Sequence, residues 1–167
     1  MTKRLLYSTI DSPIGELLLV GDGRALHRLQ MRAGRRPATI DPAWRRDDDA
    51  FGAATAQLHE YFDGSRQQFE LELQLNGNPF EQGVWDALRT IPYGQTTSYG
   101  AIAKQIGKSA AARAVGLANG RNPVAVIVPC HRVIGANGSL TGFGGGLERK
   151  RFLLDLEGGR LALLTAS

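Results

Sequence analysis

The stretch Val124-Ala125-Val126-Ile127-Val128-Pro129-Cys130-His131-Arg132-Val133 organises the reading of the whole chain. Its first five residues are apolar and mostly β-branched, which predicts a buried strand over residues 124–128. Pro129 has no backbone N–H and ends that run. Cys130 therefore falls where the strand stops, with a histidine and an arginine directly after it. It is the only cysteine among 167 residues. A free cysteine is most often a small buried hydrophobe. Here the flanking His131 and Arg132 predict a polar, basic setting that favours the thiolate. Adjacent side chains on a strand point to opposite faces, so His131 can reach Cys130 only through a turn or a bridging water. A single cysteine excludes an intramolecular disulfide and a zinc site built on several thiolates, and it fits a reducing compartment.

Upstream, Asn76-Gly77-Asn78-Pro79 marks a natural boundary, giving expected domains of 1–76 and 77–167. Asn78 can cap a helix whose first residue is Pro79 and which buries Phe80, Val84, Trp85 and Leu88. Ile91-Pro92-Tyr93-Gly94 ends it. Thr97 or Ser98 then caps a second helix, with Tyr99, Ile102, Ala103 and Ile106 spaced i, i+3, i+4, i+7. Gly107 stops that helix, Ser109 restarts the chain, and residues 110–118 read as a third. Two short helices joined by a glycine-containing turn match the helix-turn-helix pattern, although two packed core helices would look the same. The third helix is thin: Ala110, Ala111, Ala112, Ala114, Gly116 and Ala118 are all small, and only Arg113 projects far. Such a helix can approach a groove closely but offers few groups to base edges, which predicts binding without base-sequence preference.

Charge is distributed unevenly. Residues 1–75 carry ten basic and eleven acidic side chains; residues 76–167 carry ten and five. Between Asp86 and Glu148 there is no acidic residue, while Arg89, Lys104, Lys108, Arg113, Arg121 and Arg132 all lie there. A face of one sign attracts a polyanion. The first half reads as strands over 4–9, 15–20 and 25–31, punctuated by Ser12-Pro13 and Gly21-Asp22-Gly23. A variable loop follows over 32–47, then a helix over 48–62 with Phe51, Leu58 and Phe62 on one face. Residues 69–75 alternate like a strand. No chemistry is evident in this half, and His27 and His59 read as structural or exposed. No apolar run approaches the ~20 residues of a membrane-spanning helix, and residues 1–12 lack the pattern of a signal peptide. A cytoplasmic protein is expected.

Pro129-Cys130-His131-Arg132-Val133 resembles the active-site motif of the methylated-DNA–protein-cysteine methyltransferases, also called O6-alkylguanine-DNA alkyltransferases. The resemblance runs from about residue 78 to 158. It includes Pro92-Tyr93-Gly94, Ser98-Tyr99, Ala112-Arg113-Ala114-Val115-Gly116, Asn122-Pro123, Thr141-Gly142-Phe143-Gly144-Gly145-Gly146 and Leu156-Glu157-Gly158. The first half resembles the family's N-terminal domain more loosely. The implied fold is mixed α/β: a small sheet-plus-helix domain similar to a ribonuclease H fold, then a mostly helical domain with a helix-turn-helix and the cysteine.

The resemblance implies an irreversible, single-turnover SN2 transfer of the alkyl group from guanine O6 in DNA to Cys130, with no cofactor. Glu157 would orient His131, and His131 would draw the thiol proton through a water. Tyr99 would donate to guanine N3 as the base leaves. The target nucleotide would be flipped out from the minor-groove side, with Arg113 filling its place in the stack. Ala112, Ala114, Gly116 and Arg132 would contact DNA. Asn119, Val133, Phe143, Gly144 and Gly145 would form the pocket, the carbonyls of Cys130 and Val133 accepting from the exocyclic amine. Asn122 would brace the active-site turn. The implied partner is double-stranded alkylated DNA, met by a monomer. Two departures stand out. Phe143 replaces the tyrosine of many members, and no N-terminal cysteine is present, so no zinc is expected. A lesion sensor without chemistry shares the fold but replaces the cysteine. A Cys-His hydrolase would need neither DNA nor the acid-free basic stretch.

Overall fold

Leu17-Leu18-Leu19-Val20 contains no polar residue, and it becomes the middle of a sheet. In the computed structural model, which describes residues 4–34, 37–140, 142–143 and 145–158, β1 (Leu6–Ile10), β2 (Leu17–Gly21) and β3 (Leu26–Met31) form an antiparallel meander. Every residue of β2 is buried. The first turn is closed by Ser12, whose Oγ donates to the Gly15 carbonyl at 2.6 Å, while Gly15 takes a φ of 99° that favours glycine. A fourth strand, β4 (Arg45–Arg46), adds parallel to β1, so the order is β3-β2-β1-β4. This short strand lies inside the region 32–47 expected as loop. Two charged residues on a sheet edge carry no periodic signal, and the pairing is fixed by backbone bonds such as Asp47 N–H to the Tyr7 carbonyl.

The helix expected over 48–62 opens as a 3-10 turn, Asp48–Phe51, and continues as α1 (Gly52–Phe62). Its buried stripe is Phe51, Ala54, Leu58 and Tyr61, with Phe62 only partly covered. Tyr61 thus takes the inward place expected for Phe62. Residues 69–75 do not form a strand. Leu73 makes one isolated bridge to Leu26, held by Gln74 N–H on the Leu26 carbonyl at 2.9 Å.

Asn78 caps α2 (Pro79–Leu88), and its partner Glu81 completes a capping box. Trp85 is buried and donates its indole N–H to the Ala118 carbonyl at 2.9 Å. β5 (Thr97–Ser98) leads into α3 (Tyr99–Gln105), capped by Ser98. α4 (Ala112–Gly120) begins two residues later than expected and runs two further. Helices α2, α3 and α4 pack on one another. β6 (Val133–Ile134) pairs parallel with β5, and α5 (Leu147–Gly158) closes the described chain.

Residues 124–128 also depart from expectation. Only Val124 bridges a strand, meeting Leu29 of β3, and the chain then turns so that Val128 N–H bonds back to the Val124 carbonyl at 3.0 Å. Val126 has a φ of 71°, which a β-branched residue rarely adopts. The run is apolar because Val124, Val126 and Val128 enter the core, not because it extends. That core is continuous through both halves, including Leu29, Leu58, Trp85, Val115, Val126 and Leu153. Among the described residues no helix is long and apolar enough to cross a membrane.

Candidate active site

Cys130 opens a 3-10 turn, Cys130–Arg132, rather than ending a strand. Asn122 holds the approach to it from both sides. Its Nδ2 donates to the Val128 carbonyl at 2.7 Å and its Oδ1 accepts from Val124 N–H at 3.0 Å. The turn that carries the strained Val126 is therefore clamped immediately before the thiol.

The turn aims His131 and Arg132 inward, where both meet α5. Lys150, Leu153 and Glu157 form its buried face, spaced i, i+3, i+7. His131 is fully buried, and its Nε2 lies 2.7 Å from Glu157 Oε2. Arg132 grips the same carboxylate with two nitrogens, Nε to Oε1 at 2.8 Å and Nη2 to Oε2 at 3.0 Å. Its Nη1 donates to the Ile91 carbonyl at 2.7 Å, and its guanidinium lies 5.7 Å from the centre of the Tyr93 ring. The expectation that Arg132 contacts DNA is therefore overturned: it is buried and spent on Glu157. Tyr61 of α1 adds a fourth bond, its hydroxyl donating to Oε2 at 2.6 Å. Burial alone would push the Glu157 pKa up, but hydrogen bonds from His131 and Arg132 outweigh it and hold the group at about 2.

A carboxylate that stays ionised fixes the histidine tautomer. Glu157 accepts a proton held on Nε2, which leaves Nδ1 with its lone pair. Nδ1 is buried and has no hydrogen-bond partner. Burial pushes the His131 pKa down, partly opposed by Glu157, so the ring is a neutral base. Lys150 is also fully buried and donates its Nζ to the Val133 carbonyl at 2.6 Å. Burial lowers its pKa, and a thiolate at Cys130 opposes that shift whenever it forms.

The thiol itself differs from its expected setting. Cys130 is buried, and this raises its pKa; a hydrogen bond from Asn122 and the charge of Lys150 pull the other way. Sequence adjacency to two basic residues does not make a thiolate, because Arg132 is already neutralised and His131 is uncharged. Cys130 faces a cavity of about 690 Å³ whose lining includes Asn119, Asn122, Phe143 and Gly145, and from the first half Met31 and Trp44. Gly145 has no room for a side chain: a β-carbon there would run into Met31 and Phe143. Gly144 lies outside the described residues. Asn119 is buried, with Nδ2 3.4 Å from the Cys130 carbonyl and Oδ1 unpartnered.

Tyr99 is not part of that lining. It stands on the first turn of α3, and a β-carbon on Gly116 would touch its ring at 3.8 Å. Val133 is buried behind the thiol on β6. Arg113 and Ala114 are exposed on α4, with Ala112 half-covered. The structure thus gathers Cys130, His131, Glu157, Asn119, Asn122 and Val133 at one centre and leaves Arg113 on its outer face. Tyr61 and Lys150 were missed from sequence. Lys150 had a legible signal in its helical spacing to Glu157; Tyr61 had none, because its partner lies across the fold. Among the described residues no group of three or more His, Cys, Asp or Glu could hold a metal ion.

Comparison with known proteins identifies the family. Residues 79–159 match the family model for the 6-O-methylguanine DNA methyltransferase DNA binding domain, and residues 5–75 match that for its ribonuclease-like domain. A methylated-DNA–protein-cysteine methyltransferase of Mycobacterium tuberculosis is 57% identical over 157 residues, covering 92% of this chain and 93% of its own. One from Methanosarcina acetivorans is 49% identical, covering 92% and 99%. The crystal structure of M. tuberculosis OGT in complex with DNA superposes with a TM-score of 0.87 at 57% identity, covering 93% of this chain and 94% of that one. The chain belongs to the methylated-DNA–protein-cysteine methyltransferase family.

Proposed function

We propose that this protein repairs DNA by moving an alkyl group from guanine O6 to Cys130, once per molecule. The observation that carries the reading is the single thiol on a turn braced by Asn122, beside a histidine whose free Nδ1 is backed by an ionised Glu157. In the resting state the buried thiol keeps its proton. His131 Nδ1 takes that proton through a water as sulfur attacks the alkyl carbon. The S–C bond forms while the C–O6 bond breaks, and the electron pair leaves with guanine. Tyr99 donates to N3 of the departing base, and the proton lost by sulfur finally neutralises that base. The product is a thioether, which water and thiols do not readily cleave, so the site does not turn over.

A base in a duplex cannot present O6 to a buried thiol. Flipping it costs a few kcal/mol of stacking and pairing. The outer face of α4 is suited to flipping. Ala114 and Gly120 allow close approach to the minor groove, and Arg113 fills the vacated stack. We assign residues 1–76 to a sheet domain that supplies a cavity wall and the Tyr61 brace, and residues 77–167 to DNA binding and alkyl transfer. The protein acts in the cytoplasm as a monomer on double-stranded DNA.

The test is the intact mass of the protein after incubation with a duplex containing O6-methylguanine. One methyl group on Cys130 is expected, with guanine restored and no second turnover. A methyl mapped to another residue, or catalytic turnover, rejects the reading. Cys130→Ala should abolish transfer and still bind DNA.

A further inference from the structure

The exposed stripe of α4, together with Arg121 that caps its end, is Arg113, Ala114, Leu117, Gly120 and Arg121, spaced i, i+1, i+4, i+7, i+8. Four of these five fit a helix that lies on nucleic acid: two arginines at its ends and two small residues between them. Leu117 does not. It is 62% exposed, and among the described residues only one other large hydrophobic, Leu147, is comparably open. A lone surface leucine ordinarily needs no explanation. This one stands one helical turn from Arg113 and one from Arg121, at the centre of a face otherwise stripped of bulk. Arg121 is ion-paired with Glu81 of α2 at 3.8 Å but remains 69% exposed. The rest of the surrounding chain, from Ala87 to Leu147, holds no acidic residue. The charge around Leu117 therefore complements a polyanion, and an apolar side chain in that setting fits the sugar walls and base edges of a groove.

We propose that Leu117 is a DNA wedge, entering the minor groove beside the flipped nucleotide and holding the groove open while Arg113 occupies the stack. The inference rests on the reading of α4 as the DNA-facing helix. Apolar side chains inserted at base steps widen the minor groove and favour flexible pyrimidine–purine steps. Leu117 neutralises no phosphate, so its contribution is independent of salt.

The experiment compares wild type, Leu117→Ala, Leu117→Met and Leu117→Lys, by second-order alkylation rate of Cys130 on O6-benzylguanine in duplex DNA and on free O6-benzylguanine. Leu117→Ala should lower the duplex rate about tenfold or more, the lower end of the scale for one buried apolar side chain, and so lower the duplex-to-free-base ratio by the same factor. Leu117→Met should restore that ratio, whereas Leu117→Lys should not, although it adds a positive charge. The salt slope of duplex binding should be unchanged in Leu117→Ala. The advantage of a lesion flanked by a flexible TA step over one in an A-tract should shrink. Equal losses on duplex and free base overturn the wedge and make Leu117 a support of the fold. An unchanged duplex rate overturns it too, as does a Leu117→Ala effect confined to self-association by sedimentation, which would make the leucine a contact with a second copy. Failure of wild type to react with duplex lesions at all would instead reject the DNA-repair reading itself.

Discussion

Cys130 lies between two regions built on opposite rules. Behind it, Glu157 receives four hydrogen bonds from three residues drawn from α1 and the 3-10 turn, and almost nothing is open to water. In front of it, α4 offers exposed arginines, small side chains and an uncovered leucine, while Asn119 Oδ1 has no partner at all. The inner region fixes one protonation state and one ring orientation. The outer region leaves its surface uncommitted. Chemistry needs the first, since a general base must hold its lone pair at a set place. The proposed binding of a flipped nucleotide needs the second, because a surface already satisfied within the protein gains little from DNA.

Damage to the inner region should harm stability and chemistry together, whereas damage to the outer region should harm only duplex repair. Glu157→Gln should have the largest effect. It leaves the Arg132 guanidinium buried without a counter-ion, costing about 3–5 kcal/mol. It should also slow transfer to both duplex and free O6-benzylguanine at least ~100-fold. Urea unfolding and alkylation rates, taken at a temperature where the variant remains folded, check both effects. A Glu157→Gln protein as stable as wild type would end the claim that this network holds the site.

Acidification tests the same region without mutation. Burial depresses the folded pKa of His131 below its ordinary 6.5, so as pH falls the unfolded chain binds that proton first. Stability should begin to drop near pH 6.5. Glu157 acts in the same direction lower down. Its stabilising contribution, roughly 3 kcal/mol, is fully present above about 4.5 and is lost as pH falls toward its folded value of about 2. Unfolding free energies at pH 7.5, 5.5 and 3 measure this, and His131→Gln should remove the loss between the first two.

The outer region is probed by Arg113→Lys, which keeps a charge but loses the planar guanidinium. Duplex repair should slow about tenfold, the scale of one charge-assisted hydrogen bond, with free O6-benzylguanine reacting normally. Proportional losses on both substrates would place Arg113 with the inner region and erase the contrast. The smallest effect is expected from Tyr61→Phe, which removes one of four bonds to Glu157. Stability should fall by about 1–2 kcal/mol, and transfer by less than about tenfold on both substrates. A loss seen only with duplex would mean that α1 serves DNA binding instead.

Much of this molecule is local and was legible in its residues. The Asn78-Pro79 start of α2, the Ser98 cap of α3, the glycine between α3 and α4, and the three meander strands all depend on neighbours in sequence. So does the motif Pro129-Cys130-His131-Arg132-Val133, whose family resemblance named the reacting thiol. The departures from local pattern share one cause. Residues 124–128 and 69–75 have strand-like patterns, but a strand needs a partner edge, and β3 offers each only a single bridge. Arg132 reads as a surface cation until Glu157 arrives from a helix 25 residues away to bury it. Cys130 reads as an activated thiolate until burial raises its pKa. Tyr61 is one more aromatic on α1 until its hydroxyl meets a carboxylate 96 residues on. Sequence by itself determined the three meander strands, most of the helices, the caps of α2 and α3, and the candidate nucleophile, because propensity and motif act over a few residues. Only the tertiary structure decided which charges are neutralised and which nitrogen is left free. Desolvation and pairing depend on what the fold packs against each group, and that partner is seldom close in the chain.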